Sequence, residues 1–330
     1  MNINKTVAVT GANGFVGSHL VDLLLSKNYK VRCIVRKTSN LKWLEGKNIE
    51  FHDCGLLDNE GLDRAFEGVD HIYHVAGIVK SKTPDGYIKG NVDPTRNILD
   101  AALKHQNSVK KILIVSSLTA VGPSLDGKPV DEKTECRPIT NYGKSKLAEE
   151  KLAEQYMDRL PVTICRAPAV YGERDTEILI FFQTFKKGLM TTIGFDKKTL
   201  SLIHVTDLVN GFFLAAESEK SSGEIYFISS EKYYTWEEIG DVTSKILEKK
   251  ALHVKVPHSV VYTIAGFAQF FAGFGKKAAT LNIEKARDIT QNSWTCSTEK
   301  AVRDLGYRQN ISLEEGITRT CKWYKDNKWF

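Results

Sequence analysis

The amino-acid sequence predicts an α/β protein, a doubly wound parallel sheet followed by a smaller, mixed α/β C-terminal lobe. Two observations carry that prediction. Short apolar runs alternate with helix-periodic segments through the first half, and the first run opens directly onto a glycine-rich turn that begins a helix. After Gly172 the regularity fades and aromatic residues become more frequent.

The elements follow in order. Residues 6–10 read as a strand and 15–26 as a helix with Val16, Leu20, Leu23 and Leu24 as apolar positions. Residues 30–35, 70–75 and 111–116 read as further strands, with a helix over 92–103 presenting Ile98, Leu99 and Ala102 on one face. Residues 141–157 are rich in strong helix formers, Pro161 opens a strand over 162–166, and 204–216 reads as a helix entered from a strand. Strands separated by helices require right-handed crossovers and hence a parallel sheet covered on both faces. The chain shows no internal repeat and no low-complexity linker.

Composition excludes several classes. With 330 residues, 42% hydrophobic and 26% charged, the chain is neither disordered, collagen-like nor a small disulfide-stapled protein. The net charge of +6 and pI near 8.8 are spread as lysine singles and pairs among carboxylates. That pattern is a solvated surface, and no basic stripe with interleaved aromatics marks a nucleic-acid binder. The six cysteines form no CxxC pair and have no histidine at metal-ligand spacing, so no metal site is expected. Cys33 and Cys165 sit in β-like apolar runs, where a reduced thiol behaves as a small hydrophobe. The sequence enters a strand within a few residues of Met1, so no signal peptide is expected; with reduced thiols this points to the cytoplasm. Residues 259–275 carry no charge but include Gly266, Gln269 and Gly273. A buried or surface-docking helix is expected there, with peripheral membrane contact as the alternative, because a span needs about 20 apolar residues.

The first strand runs into Thr10-Gly11-Ala12-Asn13-Gly14-Phe15-Val16-Gly17. Gly11 permits a tight turn, Gly14 lets backbone N–H groups approach a pyrophosphate, and Gly17 lets helix and strand pack closely. The helix N-terminus offers free donors and partial positive charge, so Gly11, Asn13, Gly14, Phe15, Val16 and Gly17 are candidate dinucleotide contacts. The second strand ends at Val35-Arg36-Lys37, where an NAD-preferring site usually has a carboxylate for the ribose 2′-OH. Arg36, with Lys37 beside it, would instead pair with a 2′-phosphate; NADP(H) is the expected cofactor and NAD(H) the alternative. The plain alternative for Arg36 is a solvated loop cation.

Tyr142 and Lys146 are i and i+4 on one helix face. A phenol titrates near pH 10, and a neighbouring ammonium stabilises its anion, making it a better proton shuttle. The strand over 111–116 ends at Ser116-Ser117, at the carboxyl edge of the sheet where such folds bind ligands. A hydroxyl at Ser117 can hydrogen-bond a substrate carbonyl while Tyr142 gives it a proton.

TGANGFVG (Thr10–Gly17), HVAG (His74–Gly77), Ser116-Ser117 before Ala120-Val121-Gly122, YGKSK (Tyr142–Lys146) and RAPAVYG (Arg166–Gly172) together resemble an extended short-chain dehydrogenase/reductase. The match runs from about Val7 to Asp207. The resemblance implies a Rossmann lobe, a nicotinamide cofactor and Ser117, Tyr142 and Lys146 as the catalytic triad. It also implies that Asn91 completes a proton relay, although Pro94 follows where the family usually has a small residue; the plain alternative is a helix N-cap. Ala76 and Gly77 fall in the cofactor-lining motif, and Pro168 and Val170 match positions walling the nicotinamide. One departure stands out: where the family commonly has Gly-Asp-Leu before an Asp, this chain has Cys54-Gly55-Leu56-Leu57-Asp58. The acidic adenine contact is missing, leaving Leu56 as an apolar contact beside Arg36. The implied division assigns 1–166 and about 199–222 to the NAD(P)-binding lobe, and about 167–198 and 223–330 to a substrate-binding lobe. Relatives often pair through the helix bearing Tyr142, so a homodimer is implied.

Within the superfamily, dehydratases carry an Asp-Glu pair just after the catalytic hydroxyl, whereas Leu118-Thr119 follows Ser117 here. Sugar-nucleotide epimerases use an Arg before Ile-His-Val to bind a diphosphate; this chain reads Leu200-Ser201-Leu202-Ile203-His204-Val205, and leucine cannot neutralise a phosphate. SLTAVGP (Ser117–Pro123) and the region around Ala286–Ile289, Trp294 and Leu305-Gly306-Tyr307 resemble the 3β-hydroxysteroid dehydrogenase and dihydroflavonol-reductase branch. The expectation is an oxidoreductase interconverting a secondary alcohol and a ketone on an apolar, ring-bearing small molecule. The uncharged stretch with Phe267, Phe270, Phe271 and Phe274 suits an apolar pocket, its plain alternative being a core helix. His204 reads as structural, and Arg174 and Lys187 as candidate substrate contacts. Two alternatives remain: a sugar-nucleotide 4-epimerase with tightly held NAD, and a non-catalytic NADP-sensing regulator.

Overall fold

The computed structural model describes residues 5–273 and 281–330. In the first half β1 (Thr6–Thr10) leads through α1 (Phe15–Ser26) to β2 (Lys30–Ile34) and a short β3 (Glu50–His52). Next come α2 (Asn59–Phe66), β4 (His71–His74) and α3 (Pro84–Tyr87), which continues through a π-turn at Ile88–Val92 into α4 (Asp93–Lys104). β5 (Lys111–Ser117), α5 (Asn141–Glu154), β6 (Val162–Ala167), β7 (Ala169–Tyr171), α6 (Leu179–Lys186), β8 (Leu189–Ile193), β9 (Thr199–His204) and α7 (Val205–Glu217) carry the chain to β10 (Glu224–Phe227). The remainder is β11 (Tyr233–Thr235), α8 (Trp236–Leu247), β12 (Leu252–Val256), α9 (His258–Gly273), α10 (Ile283–Ile289), β13 (Ser293–Trp294), α11 (Glu299–Leu305) and α12 (Leu313–Asp326).

The main sheet has seven strands in the order β3-β2-β1-β4-β5-β6-β10, every pair parallel. Alternate side chains on each strand point to opposite faces, and the two faces hold separate cores. Val7, Val9, Val31, Cys33, Tyr73 and Leu113 join α1 and α7 on one side. Ala8, Ile34, Ile72, Ile112, Ile114 and Ile164 join α2, α4 and α5 on the other. This is the doubly wound architecture expected. The strand order reverses direction between β1 and β4, and ligands of open α/β sheets bind in the crevice that such a reversal creates.

β9 lies in a second, smaller sheet with β7, β11 and β13, over a core containing Tyr171, Phe182, Leu200, Leu202, Ile317 and Tyr324. The seven-stranded sheet takes in Glu224–Phe227, past the expected break at 222/223, and leaves Thr199–His204 to the second sheet. β8 and β12 form a parallel ribbon, and α9 packs on α10 through Val261, Ala265 and Ala286. The outer side of α9 exposes Val260, Ile264, Phe267, Phe270 and Phe271, so its aromatics are not core residues. Phe274 lies outside the described residues. Among the described residues, no helix is long and apolar enough to cross a membrane and no side-chain group has the makings of a metal site. All six cysteines are free thiols.

Candidate active site

The glycine turn sits at the carboxyl end of β1. Gly11 has φ +66°, and a Cβ there would meet the Ala76 backbone nitrogen at 2.7 Å. A Cβ on Gly17 would lie 2.1 Å from the Gly11 carbonyl oxygen, so the turn and the first coil of α1 touch backbone to backbone. Gly14 is the N-cap of α1, with extended backbone and no side-chain cap; the first turn carries no acidic residue. The leading N–H groups of α1 therefore have no side-chain partner of their own, and this cradle fits a dinucleotide pyrophosphate. Phe15 and Val16 pack against the core from that turn, and Asn13 donates to the Asn40 carbonyl at 3.2 Å.

Arg36 is exposed and bridges in antiparallel fashion to Cys54, holding the end of β2 against the loop after β3. Lys37 is also exposed. Gly55, at the position of the family's acidic residue, has φ +69°, in the left-handed region that favours glycine. Asp58, the next acid, caps α2 by accepting from the Gly61 amide at 2.9 Å, and Leu56 packs on the core while its carbonyl accepts from Asn97.

Across the crevice, Ala76 donates its amide to the Thr10 hydroxyl at 3.2 Å. A Cβ on Gly77 would meet the Asn91 Oδ1 at 3.2 Å and the Lys146 Nζ at 4.0 Å. Asn91 is buried in the π-turn before α4, a bulge of the kind frequent at functional sites. It caps no helix: its Oδ1 accepts from the Ile78 amide at 2.7 Å and its Nδ2 donates to the Ser145 hydroxyl at 2.9 Å. The amide side chain ties the segment after β4 to α5.

Ser117 ends β5, and its Oγ accepts from the Thr119 amide at 3.2 Å and hydroxyl at 2.9 Å. Thr140 caps α5 by accepting from the Gly143 amide, fixing the turn that presents Tyr142. The Tyr142 ring lies 6.3 Å from that of Tyr87. Burial raises the Tyr142 phenol above its ordinary value; Lys146 and a hydrogen bond with Ser117 pull it down, and Glu149 pushes it further up. The expected lowering by Lys146 is present but outweighed. Lys146 is itself buried and donates to the Val115 carbonyl at 2.8 Å and to the Glu149 carboxylate. Burial disfavours its charge, but Glu149 and Tyr142 reverse that and hold the ammonium above its usual range. Glu149 is a site residue that the sequence reading missed. Its neighbour Glu150 is also buried, bound by Arg166 at 2.7 and 3.0 Å and by the Ser116 hydroxyl.

Pro168 and Val170 line the strand exit beside β6, both partly buried. Arg174 grips α1 through Ser18 at 3.0 Å and Asp22 at 2.8 Å. Lys187 lies exposed at the end of α6. His204 is buried, accepts from the Thr206 amide at the start of α7 and lies 3.3 Å from Glu173.

Fold and site together define a nicotinamide-dependent enzyme of the Rossmann type. The model of the NAD dependent epimerase/dehydratase family matches residues 7–229, and the chain belongs to that family. It is an oxidoreductase-type enzyme of the extended short-chain dehydrogenase/reductase kind. The chain is 28% identical over 325 residues to a ceramide reductase of Caulobacter vibrioides, covering 98% of this chain and 95% of the relative. It is 24% identical over 332 residues to a decarboxylating sterol-4-alpha-carboxylate 3-dehydrogenase of Dictyostelium discoideum, covering 95% and 99% respectively. The crystal structure of gox2253 superposes with a TM-score of 0.82 at 28% identity, covering 98% of this chain and 99% of that one.

Proposed function

We propose that this enzyme interconverts a secondary alcohol and a ketone on a largely apolar, ring-bearing or lipid-like substrate, with NADP(H) preferred over NAD(H). The observation that carries the reading is the convergence of Ser117, Tyr142 and Lys146 beside the glycine turn, at the carboxyl edge of the parallel sheet. A bound nicotinamide supplies or accepts the hydride. The Ser117 hydroxyl orients the substrate oxygen, and Tyr142 Oη donates its proton to that oxygen in reduction or takes it back in oxidation. Lys146 offsets the charge left on the phenolate, and Asn91 holds the loop after β4 against α5.

An apolar substrate is supported by three features. Leu200 and Leu202, where the epimerases' phosphate-binding segment would fall, pack in the second core. Leu118-Thr119 supplies no acid–base pair for elimination, the Thr119 hydroxyl being bonded to Ser117. Two relatives are named for sphingolipid and sterol chemistry. Exposed Arg36, followed by exposed Lys37 at the end of β2, supports NADP(H). The accompanying proposal is a cytoplasmic homodimer in which residues 1–166 and 205–227 form most of the cofactor-binding side. Tyr142→Phe should abolish turnover on a panel of steroid, flavonoid-type and long-chain ketones with NADPH, while NADPH affinity by fluorescence titration stays unchanged. A near-normal rate in that variant would sink the assignment, and stoichiometric, dialysis-resistant NAD found by mass spectrometry would favour an epimerase.

A further inference from the structure

Glu149 is nearly fully buried, yet the family's triad gives it no task. Its two oxygens are used differently. Oε2 binds the Lys146 ammonium, and Oε1 lies 3.0 Å from the Thr95 hydroxyl. Behind Thr95 stands a chain of buried groups with one consistent direction. The Ala76 amide donates to the Thr10 hydroxyl at 3.2 Å, and that hydroxyl lies 2.7 Å from His74 Nδ1. His74 Nε2 lies 2.8 Å from the Thr95 hydroxyl. Because an amide can only donate, Thr10 passes its own proton to Nδ1 and His74 carries its proton on Nε2, while the single Thr95 hydroxyl proton faces two acceptors, the Asn91 carbonyl at 2.8 Å and Glu149 Oε1 at 3.0 Å. Burial raises the Glu149 carboxyl above its usual range, and the Lys146 ammonium and the Thr95 hydroxyl oppose that shift.

We propose that Glu149 is a positioning residue that offsets part of the field of Lys146 at Tyr142, keeping the buried phenol in its proton-donating form to a higher pH and so setting the pH above which alcohol oxidation runs. This rests on the dehydrogenase reading of the site. Reduction needs the Tyr142 proton, which moves from Oη to the substrate oxygen as hydride reaches the carbonyl carbon; oxidation needs the phenolate to accept the hydroxyl proton. An ammonium alone beside Tyr142 would favour the phenolate, whereas an ammonium paired with a carboxylate favours it less.

The other groups facing the pair do not replace Glu149. His74, from β4, lies 3.8 Å from Glu149 but is held neutral, its pKa pushed down to about 3 by burial and by Lys146. Glu150, on the same helix, is occupied by Arg166 of β6 and Ser116 of β5. Lys285 of α10 acts weakly on Tyr142, and Tyr87 of α3 and Ser117 of β5 present no charge. Thr95 of α4 is neutral as well.

The test is an NMR titration of protein labelled at the tyrosine ring carbon Cζ, with the Tyr142 signal assigned by its loss in Tyr142→Phe. In Glu149→Gln the Tyr142 phenol should titrate at a pH lower by about one unit, a tenfold change in the phenolate ratio. Lys146 would shift in the same sense, and the ring carbon reads the tyrosine alone. Glu149→Asp, which keeps the charge on a shorter arm, should restore most of the wild-type titration. On any ketone and alcohol pair turned over in the panel above, the pH at which oxidation switches on should fall by the same amount in Glu149→Gln. Unchanged Tyr142 titration in Glu149→Gln overturns the proposal even if activity is lost. A shifted titration combined with full activity in Tyr142→Phe removes the dehydrogenase reading and leaves only the electrostatic coupling standing.

Discussion

At the scale of single residues, the glycine turn shows how little freedom a binding cradle has. The hypothetical Cβ of Gly17 meets backbone, which cannot rotate aside as a flexible side chain could. Gly17→Ala should therefore push α1 away from β1 and weaken NADPH binding at least tenfold by fluorescence titration, an outcome traceable to geometry alone. Arg36 gives a charge-based counterpart. Arg36→Glu should raise the preference for NAD over NADP by tenfold or more in competition titrations, because a carboxylate repels a 2′-phosphate and accepts from a 2′-OH. Ser117, Tyr142 and Lys146 were named from the sequence because the surrounding motifs resemble the family's; the helical spacing of Tyr142 and Lys146 alone reads equally as a surface pair. Glu149 was not, because its partners come from β4 and α4 as well as from its own helix. The signal available was a Glu-Glu doublet three residues past Lys146, which reads equally well as solvated surface.

At the scale of elements, periodicity served the first half well and the second half poorly. Strands buried on both faces announce themselves as apolar runs, and five of those expected form close to their expected ends. The long helix ends at Glu154 instead of Met157, where the chain turns toward β6. Short β3, with an exposed and polar pattern, gave no such run. α8 and α12 went unnoticed in the sequence, although each carries an N-terminal cap. Thr235 and Glu238 form a reciprocal capping box, and Ser312 accepts from the Glu315 amide. Thr235→Ala should cost about 1 kcal/mol and lower Tm by a few degrees in a thermal melt. α9 presents the opposite lesson, since an uncharged stretch need not be core. Phe267 is 63% exposed, so Phe267→Ser should change stability by less than about 0.5 kcal/mol. A larger loss in denaturant titration would mean that this face is covered.

The whole molecule carries an acid sensitivity built from buried histidines. Burial lowers His19 and His71 to about 4, and burial with Lys146 lowers His74 to about 3. In the unfolded chain these rings titrate near 6.5. The native state therefore binds fewer protons than the unfolded state between those values, and stability is complete above about pH 6.5. It should fall as the pH drops from 6.5 toward 4, visible as a declining Tm across that window, with little change between pH 7 and 8 from these groups. At this scale the sequence conveyed two lobes but not how the chain moves between them. β10 returns to the first sheet after β7 to β9 have built much of the second, a crossing that no local pattern encodes.

That late return has a consequence for biogenesis. β6 is complete by Ala167, but the neighbour that covers its outer edge, β10, comes from Glu224–Phe227, and Lys300 of α11 then closes over it through Glu224 and the Ile225 carbonyl. A nascent chain emerging from the ribosome holds an apolar strand with an unpaired edge while the intervening residues are made. Such an edge is a template for pairing with another chain. A stalled or truncated translation product ending before β10 is therefore a candidate for chaperone capture or self-association, even though its dinucleotide turn and Tyr142 are already in place.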